Sequence, residues 1–253
     1  MNSNATIEKM QDLKLHGMLR SFRETFSAGV NSKFTADEMI AHLVDAEWDE
    51  RYNRKVSALN KGADFRYRAS IEELDFKPSR KIDKNLILRL SNGEYIRKGE
   101  SIIITGSTGT GKSFLSCALG HMACVQRFRV GYYNCIKLFT QLKFSKADGT
   151  YLKTMNKIKK LDLLILDDFG LKQFDADSRL MLLELIEDRH GSKSLILCSQ
   201  IPQDKWFEII GDATIADAVC DRILHTSHRI DIKGESMRKK KTNNSGQNLP
   251  LEK

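Results

Sequence analysis

Eight consecutive residues, Gly106 to Ser113 (GSTGTGKS), follow the spacing G-x-x-x-x-G-K-[ST]. Each type serves a separate need of a phosphate-binding loop. Gly106, Gly109 and Gly111 allow backbone geometry and close approach that side chains would block. The run through Ser107, Thr108 and Thr110 can then turn successive N–H groups inward. A helix starting near Gly111 would add the positive end of its dipole. Lys112 can reach the β and γ phosphates as a point charge, and the Ser113 hydroxyl can join the shell of a Mg²⁺ ion.

Further along, KLDLLILDDFG places Asp167 and Asp168 at the end of an apolar strand. In a parallel sheet that end shares an edge with the glycine loop. One carboxylate suits a metal held through water, and the other a base that polarises an attacking water. Asp167 is assigned to the metal and Asp168 to the water. The next apolar run ends in LILCSQIP, with the uncharged Ser199 and Gln200 at its tip. If that strand lies between the other two, Gln200 can contact the γ-phosphate or the water. Arg222 in ADAVCDRIL and Arg238 in GESMRKKK carry the planar charge that suits phosphoryl oxygens. For Arg222 the alternative is a surface ion pair with Asp217 or Asp221.

The elements that must position these groups follow from hydrophobic pattern. Short apolar runs predict strands at Ile102–Thr105, Val130–Asn134, Leu163–Asp167, Leu195–Ser199 and Arg229–Ile232. Helices are expected between them, at Lys112–Arg127, Ile136–Phe144, Leu152–Lys160 and Asp177–His190, with a pair over Asp204–Leu224. Alternating strands and helices predict an α/β fold with a parallel sheet buried on both faces. Residues 1–65 read as a small all-α domain. Its periodic residues include Leu15, Leu19 and Phe22, then Ile40, Leu43, Val44 and Trp48 behind a Thr35/Glu38 capping box. Residues 66–98 read as a connector, 99–241 as the α/β domain and 242–253 as a disordered tail.

Composition narrows the class. Of 253 residues 41% are hydrophobic and 29% charged, as expected of a soluble protein with a core. No apolar run approaches the roughly 18–20 residues of a membrane span. The start lacks a basic-then-apolar export pattern, so a cytoplasmic location is expected. The five cysteines form no C-x-x-C pair and read as small core residues rather than a zinc site or disulfide framework. The net charge of +8 suggests a polyanionic partner. Its distribution is uneven. Arg51, Arg54, Lys55, Lys61, Arg66 and Arg68 face a single acid, Asp64, within one stretch that also holds Tyr52, Phe65 and Tyr67. Lys239 and Lys240 belong to a second cluster. Both stretches can lie along DNA phosphates, and the bland reading is a solvated helix face and a basic tail. No base-reading module is evident, so recognition largely independent of sequence is expected.

Taken together, the motifs resemble the core of the AAA+ ATPases. More narrowly, the chain is similar to the IstB transposition helpers of bacterial insertion sequences, kin of the DnaC helicase loaders. Beyond the glycine loop, the resemblance rests on KLHGMLRSF, LVDAEWDERYNRKV, LDFKPSRKID, LLILDDFG, SQIP, IADAVCDRIL and HRIDIKGESMRK. It implies a P-loop core with sheet order 5-1-4-3-2, ATP and Mg²⁺ as cofactors, and assembly as a ring or spiral on double-stranded DNA. It also implies recruitment or stimulation of a partner transposase; a DnaC-type loader is the alternative. In family terms Asp167 matches the metal-holding acid, Asp168 its catalytic neighbour and Gln200 a sensor. Arg222 matches a finger acting in trans, and Arg238 falls near a second sensor. Two features depart from the wider pattern: the second acid is Asp rather than Glu, and few residues follow Ile232 to build a helical lid.

Overall fold

The computed structural model describes residues 3–27, 34–225 and 227–237. The tail expected over 242–253 and the sites assigned to Arg238, Lys239 and Lys240 lie outside these residues. The chain divides into two compact units, Met1–Ala58 and Leu59–Lys253.

The first unit contains α1 (Ser3–Asp12), α2 (His16–Ser27) and the start of α3 (Ala36–Ala63). The capping box forms: Glu38 N–H donates to Thr35 Oγ1, and Thr35 N–H donates back to Glu38 Oε2. A buried carboxylate, Glu47, closes the amino end of α2 by accepting from the Gly17 and Met18 amides at 2.8 and 3.2 Å. Burial alone would raise its pKa. The hydrogen bonds from Arg51 and from the two amides outweigh that, and the net direction is downward. Gly17 is required here, because a Cβ would fall 2.2 Å from the Ala46 carbonyl oxygen. That close approach is made by Ala46 and Glu47. The residues whose spacing marks the helix, Ile40, Val44 and Trp48, are instead exposed.

In the second unit, a 3₁₀ turn (Pro78–Arg80) leads to α4 (Lys84–Leu90), capped by Asp83, and α5 (Glu94–Arg97). Five strands follow: β1 (Ser101–Gly106), β2 (Val130–Asn134), β3 (Leu163–Phe169), β4 (Ser194–Ser199) and β5 (Ser227–Ile232). All pairings are parallel and the order is β2-β3-β4-β1-β5, the expected order read from the other edge. The helices between them are α6 (Lys112–Val125), α7 (Cys135–Ala147), α8 (Tyr151–Lys159), α9 (Ala176–Glu187), α10 (Trp206–Ile210) and α11 (Ala213–Leu224).

The period-two geometry of a strand explains why the runs are apolar throughout. Ile102, Ile104, Leu163, Ile165, Ile196 and Cys198 join a cluster with α6 and with Ala69, Ile71, Ile87 and Tyr95 of the segment before β1. Ile103, Leu164, Leu166, Leu195 and Leu197 face the opposite cluster, built with α7, α9, α10 and α11. Segment 66–98 therefore contributes core side chains as well as connecting. All five cysteines are free and buried, as expected.

Candidate nucleotide-binding site

The glycine loop joins β1 to α6, and its three glycines all have positive φ: +150° at Gly106, +80° at Gly109 and +95° at Gly111. Two of these positions also have no room for a side chain. A Cβ on Gly106 would lie 2.4 Å from the Ile232 carbonyl oxygen, and one on Gly109 would lie 2.1 Å from Ser236 Oγ. Gly111 caps α6 in the left-handed conformation. The Lys112 ammonium folds back into the loop, donating to the carbonyl oxygens of Gly106 (2.7 Å) and Ser107 (2.9 Å). The loop is braced from three directions. Thr110 Oγ1 donates to the Ser107 carbonyl, Met237 N–H donates to the Gly109 carbonyl, and the buried Arg80 guanidinium donates to the Thr110 carbonyl.

Asp167 and Asp168 stand at the carboxyl end of β3, next to β4, which pairs in turn with β1. The two strand spacings from β3 to β1 put the acids about 10 Å across the sheet from the loop's entry strand. Asp167 is fully buried. It accepts from the Tyr132 hydroxyl on one oxygen and, at 3.0 Å, from the Asp168 amide on the other. Burial first, then the bond to Asp167, pushes the Tyr132 phenol far above its ordinary pKa, so the phenol remains a donor.

A register break between Leu166 and Phe169 accommodates both acids, and Asp168 has φ +59°. Among non-glycine residues, aspartate and asparagine are enriched in that conformation several-fold. Glutamate lacks this tolerance, which gives the shorter acid a backbone reason. Asn134 Nδ2 donates to Asp168 Oδ2 at 2.8 Å. Arg66 Nη1 lies 3.6 Å from Asp167 Oδ2 and 3.9 Å from Asp168 Oδ2.

At the tip of β4, Thr108 Oγ1 donates to Gln200 Oε1 at 2.5 Å. Ser199 serves the backbone instead, its hydroxyl donating to the Phe169 carbonyl at 2.9 Å and accepting from the Ile201 amide at 3.1 Å. Ser107, Thr108, Thr110, Lys112, Ser113, the two acids and Gln200 thus gather at the carboxyl edge of the sheet. Arg222 does not join them. It pairs with Glu187 at 3.0 Å, rather than with Asp217 or Asp221, and donates to the Ala218 carbonyl. It also borders a small recess with Ser101 and Leu195, at the amino ends of β1 and β4. Of the basic stretch, Arg51 pairs with Glu47, Arg66 sits on the acids, and Arg54, Lys55, Lys61 and Arg68 are exposed.

Sequence reasoning missed Arg80, Tyr132 and Asn134, and it assigned Arg66 only to DNA. Nothing local marks these residues, because each acts on a partner thirty or more positions away.

A family model described as IstB-like ATP binding protein matches residues 8–245. The chain belongs to this IstB-like family. The insertion sequence ATP-binding protein y4pL of Sinorhizobium fredii is 39% identical over 94% of this chain and 98% of its own length. The corresponding protein of insertion sequence IS1162 from Pseudomonas fluorescens is 37% identical over 80% of this chain and 88% of its own. Among solved structures, the DnaC helicase loader superposes with a TM-score of 0.55 at 19% identity, over 66% of this chain and 98% of that one. AMPPCP-bound DnaA from Aquifex aeolicus gives 0.57 at 20% identity, over 74% of this chain and 58% of that one. These likenesses establish the AAA+ P-loop fold. This IstB-like chain is thus an ATP-binding protein with the AAA+ ATPase architecture. Among the described residues no helix is long and apolar enough to cross a membrane.

Proposed function

We propose that this protein hydrolyses ATP on double-stranded DNA as the helper of an insertion sequence, recruiting or stimulating its partner transposase in the cytoplasm. The observation that carries the reading is the formed glycine loop sharing one sheet edge with the Asp167–Asp168 pair. Lys112 already points its ammonium at the loop's own carbonyls. A triphosphate in the loop offers that ammonium charged oxygens in exchange, which make stronger hydrogen bonds than neutral ones.

The residues present fit a magnesium ion. A hydroxyl at Ser113 and a carboxylate at Asp167 are hard oxygen donors, and magnesium carried on phosphates needs only one or two such protein ligands. When bound, the ion would neutralise charge on the β and γ phosphates. Asp168, oriented by Asn134, takes the proton of the attacking water. Gln200, aligned by Thr108, holds the γ-phosphate or that water. Arg222, remote from the loop of its own chain, acts on the nucleotide of a neighbouring copy in a ring or spiral.

The exposed Arg54 and Lys55, one turn from Arg51 on α3, supply phosphate contacts that carry no sequence information. Phosphate release measured against duplex DNA and protein concentration tests the proposal. Turnover should rise with both and fall as salt is added. Turnover indifferent to DNA, together with capture of a replicative helicase and no transposase, would favour a helicase loader.

A further inference from the structure

Arg66 stands on the two acids that the proposed reaction needs, although it enters from the far end of the domain's sequence. Its Nη1 lies 3.6 Å from Asp167 Oδ2 and 3.9 Å from Asp168 Oδ2, and the side chain also hydrogen-bonds with Tyr132. The backbone beneath it is pinned. Phe65 lies so close to Gly120 that a Cβ there would come within 2.6 Å of its ring. On the other side, Tyr67 meets Phe114 with ring centroids 6.3 Å apart. Gly120 and Phe114 both belong to α6, the helix that closes the glycine loop. The guanidinium also lies 5.4 Å from the Tyr67 ring centroid, within cation–π range.

The end of the side chain is nevertheless accessible. It is 41% exposed, and with Tyr132, Asn134 and Asp168 it borders an open groove of about 730 Å³. The pinned backbone fixes the reach of the arginine, while the exposed tip leaves it room to swing.

We propose that Arg66 is a built-in counter-ion for the Asp167–Asp168 pair, which magnesium–nucleotide must displace for the site to become complete. The inference rests on the reading of these acids as the metal and water residues. Two adjacent carboxylates repel each other, and a guanidinium within 4 Å relieves that repulsion. Each Asp167 oxygen accepts one hydrogen bond, from the Tyr132 hydroxyl and from the Asp168 amide, which fixes the carboxylate while leaving it lone pairs for a cation or its water. Arginine carries donors only and stays charged, so it cannot share a carboxylate with a cation without like-charge repulsion. Arg66 therefore keeps the acids organised between turnovers and raises the magnesium concentration at which nucleotide is held. It is a positioning residue.

The test uses the full chain with Arg66→Gln and the conservative Arg66→Lys. Fluorescent methylanthraniloyl-ATP binding is followed while magnesium is titrated from an EDTA baseline. In Arg66→Gln the magnesium midpoint should fall by about threefold to tenfold, the scale of a partly exposed ion pair. Binding in EDTA should be unchanged, and Arg66→Lys should stay near the parent. An unchanged midpoint, or one that rises, would overturn the inference. Thermal unfolding without nucleotide, in EDTA and in magnesium, keeps this result separate from the glycine-loop reading. Arg66→Gln should gain more in Tm from magnesium than the parent does, whether or not nucleotide binds. Equal gains would overturn the counter-ion role, whereas absent nucleotide binding in the parent would instead overturn the loop.

Discussion

The Thr108 hydroxyl donates to Gln200 Oε1 at 2.5 Å and so ties the crown of the glycine loop to the tip of β4. The bond occupies the acceptor end of the glutamine and leaves its NH₂ end as a donor toward charge that develops on a phosphoryl group. Gln200→Ala should therefore lower turnover by about tenfold or more while nucleotide affinity changes little. Thr108→Val should cost less. The double variant should fall short of the product of the two, because the residues share one interaction. Steady-state phosphate release on all four proteins measures this coupling.

Asp168 joins a chemical role to an unusual backbone at φ +59°. Asparagine tolerates that conformation and matches the side chain in shape. Asp168→Asn should therefore fold and bind nucleotide as the parent does, with turnover reduced by about 10² or more through loss of the base. Asp168→Ala should lose turnover similarly and in addition about 1 kcal/mol of stability, because alanine gains no local hydrogen bond in the left-handed region. Urea melts beside the turnover assay separate the two effects.

The thiols make a pH prediction. Burial pushes Cys117 and Cys220 up to about 11 and Cys124 and Cys135 up to about 12, with Cys198 also well above its ordinary value. A thiol raised in the folded state favours the protonated form there. Its stabilising effect is complete below the unfolded value and is lost as pH rises toward these higher values. Iodoacetamide attacks the thiolate. At pH 8 the native protein should resist labelling, and all five cysteines should react once it is unfolded in guanidinium. Rapid labelling of the native protein would place a thiol at the surface.

Strands were legible because a sheet buried on both faces demands unbroken apolar runs, and LLIL or IIIT fits little else of that length. The positions in GSTGTGKS and LLILDDFG were legible because loop and strand-end chemistry is local. Other features depend on partners distant in sequence. Arg80 shows its relation to the loop only once the turn at Pro78 brings it beneath Thr110. Arg66 reads as one more cation in a basic stretch until Phe65 and Tyr67 lock its neighbours onto α6. The stripe of Ile40, Val44 and Trp48 announces a helix but not its buried side, which the glycine–alanine contact at Gly17 and Ala46 sets instead.

The central claim is that the amides and lysine of residues 106–113 grip a magnesium-bound triphosphate. Calorimetric titration of the folded protein with a nonhydrolysable ATP analogue and magnesium tests it most directly, with Lys112→Ala alongside. One molecule should bind per chain, with affinity on the order of micromolar, and Lys112→Ala should weaken it by at least about tenfold. Absence of binding to the parent, or equal affinity in the two proteins, would contradict the account.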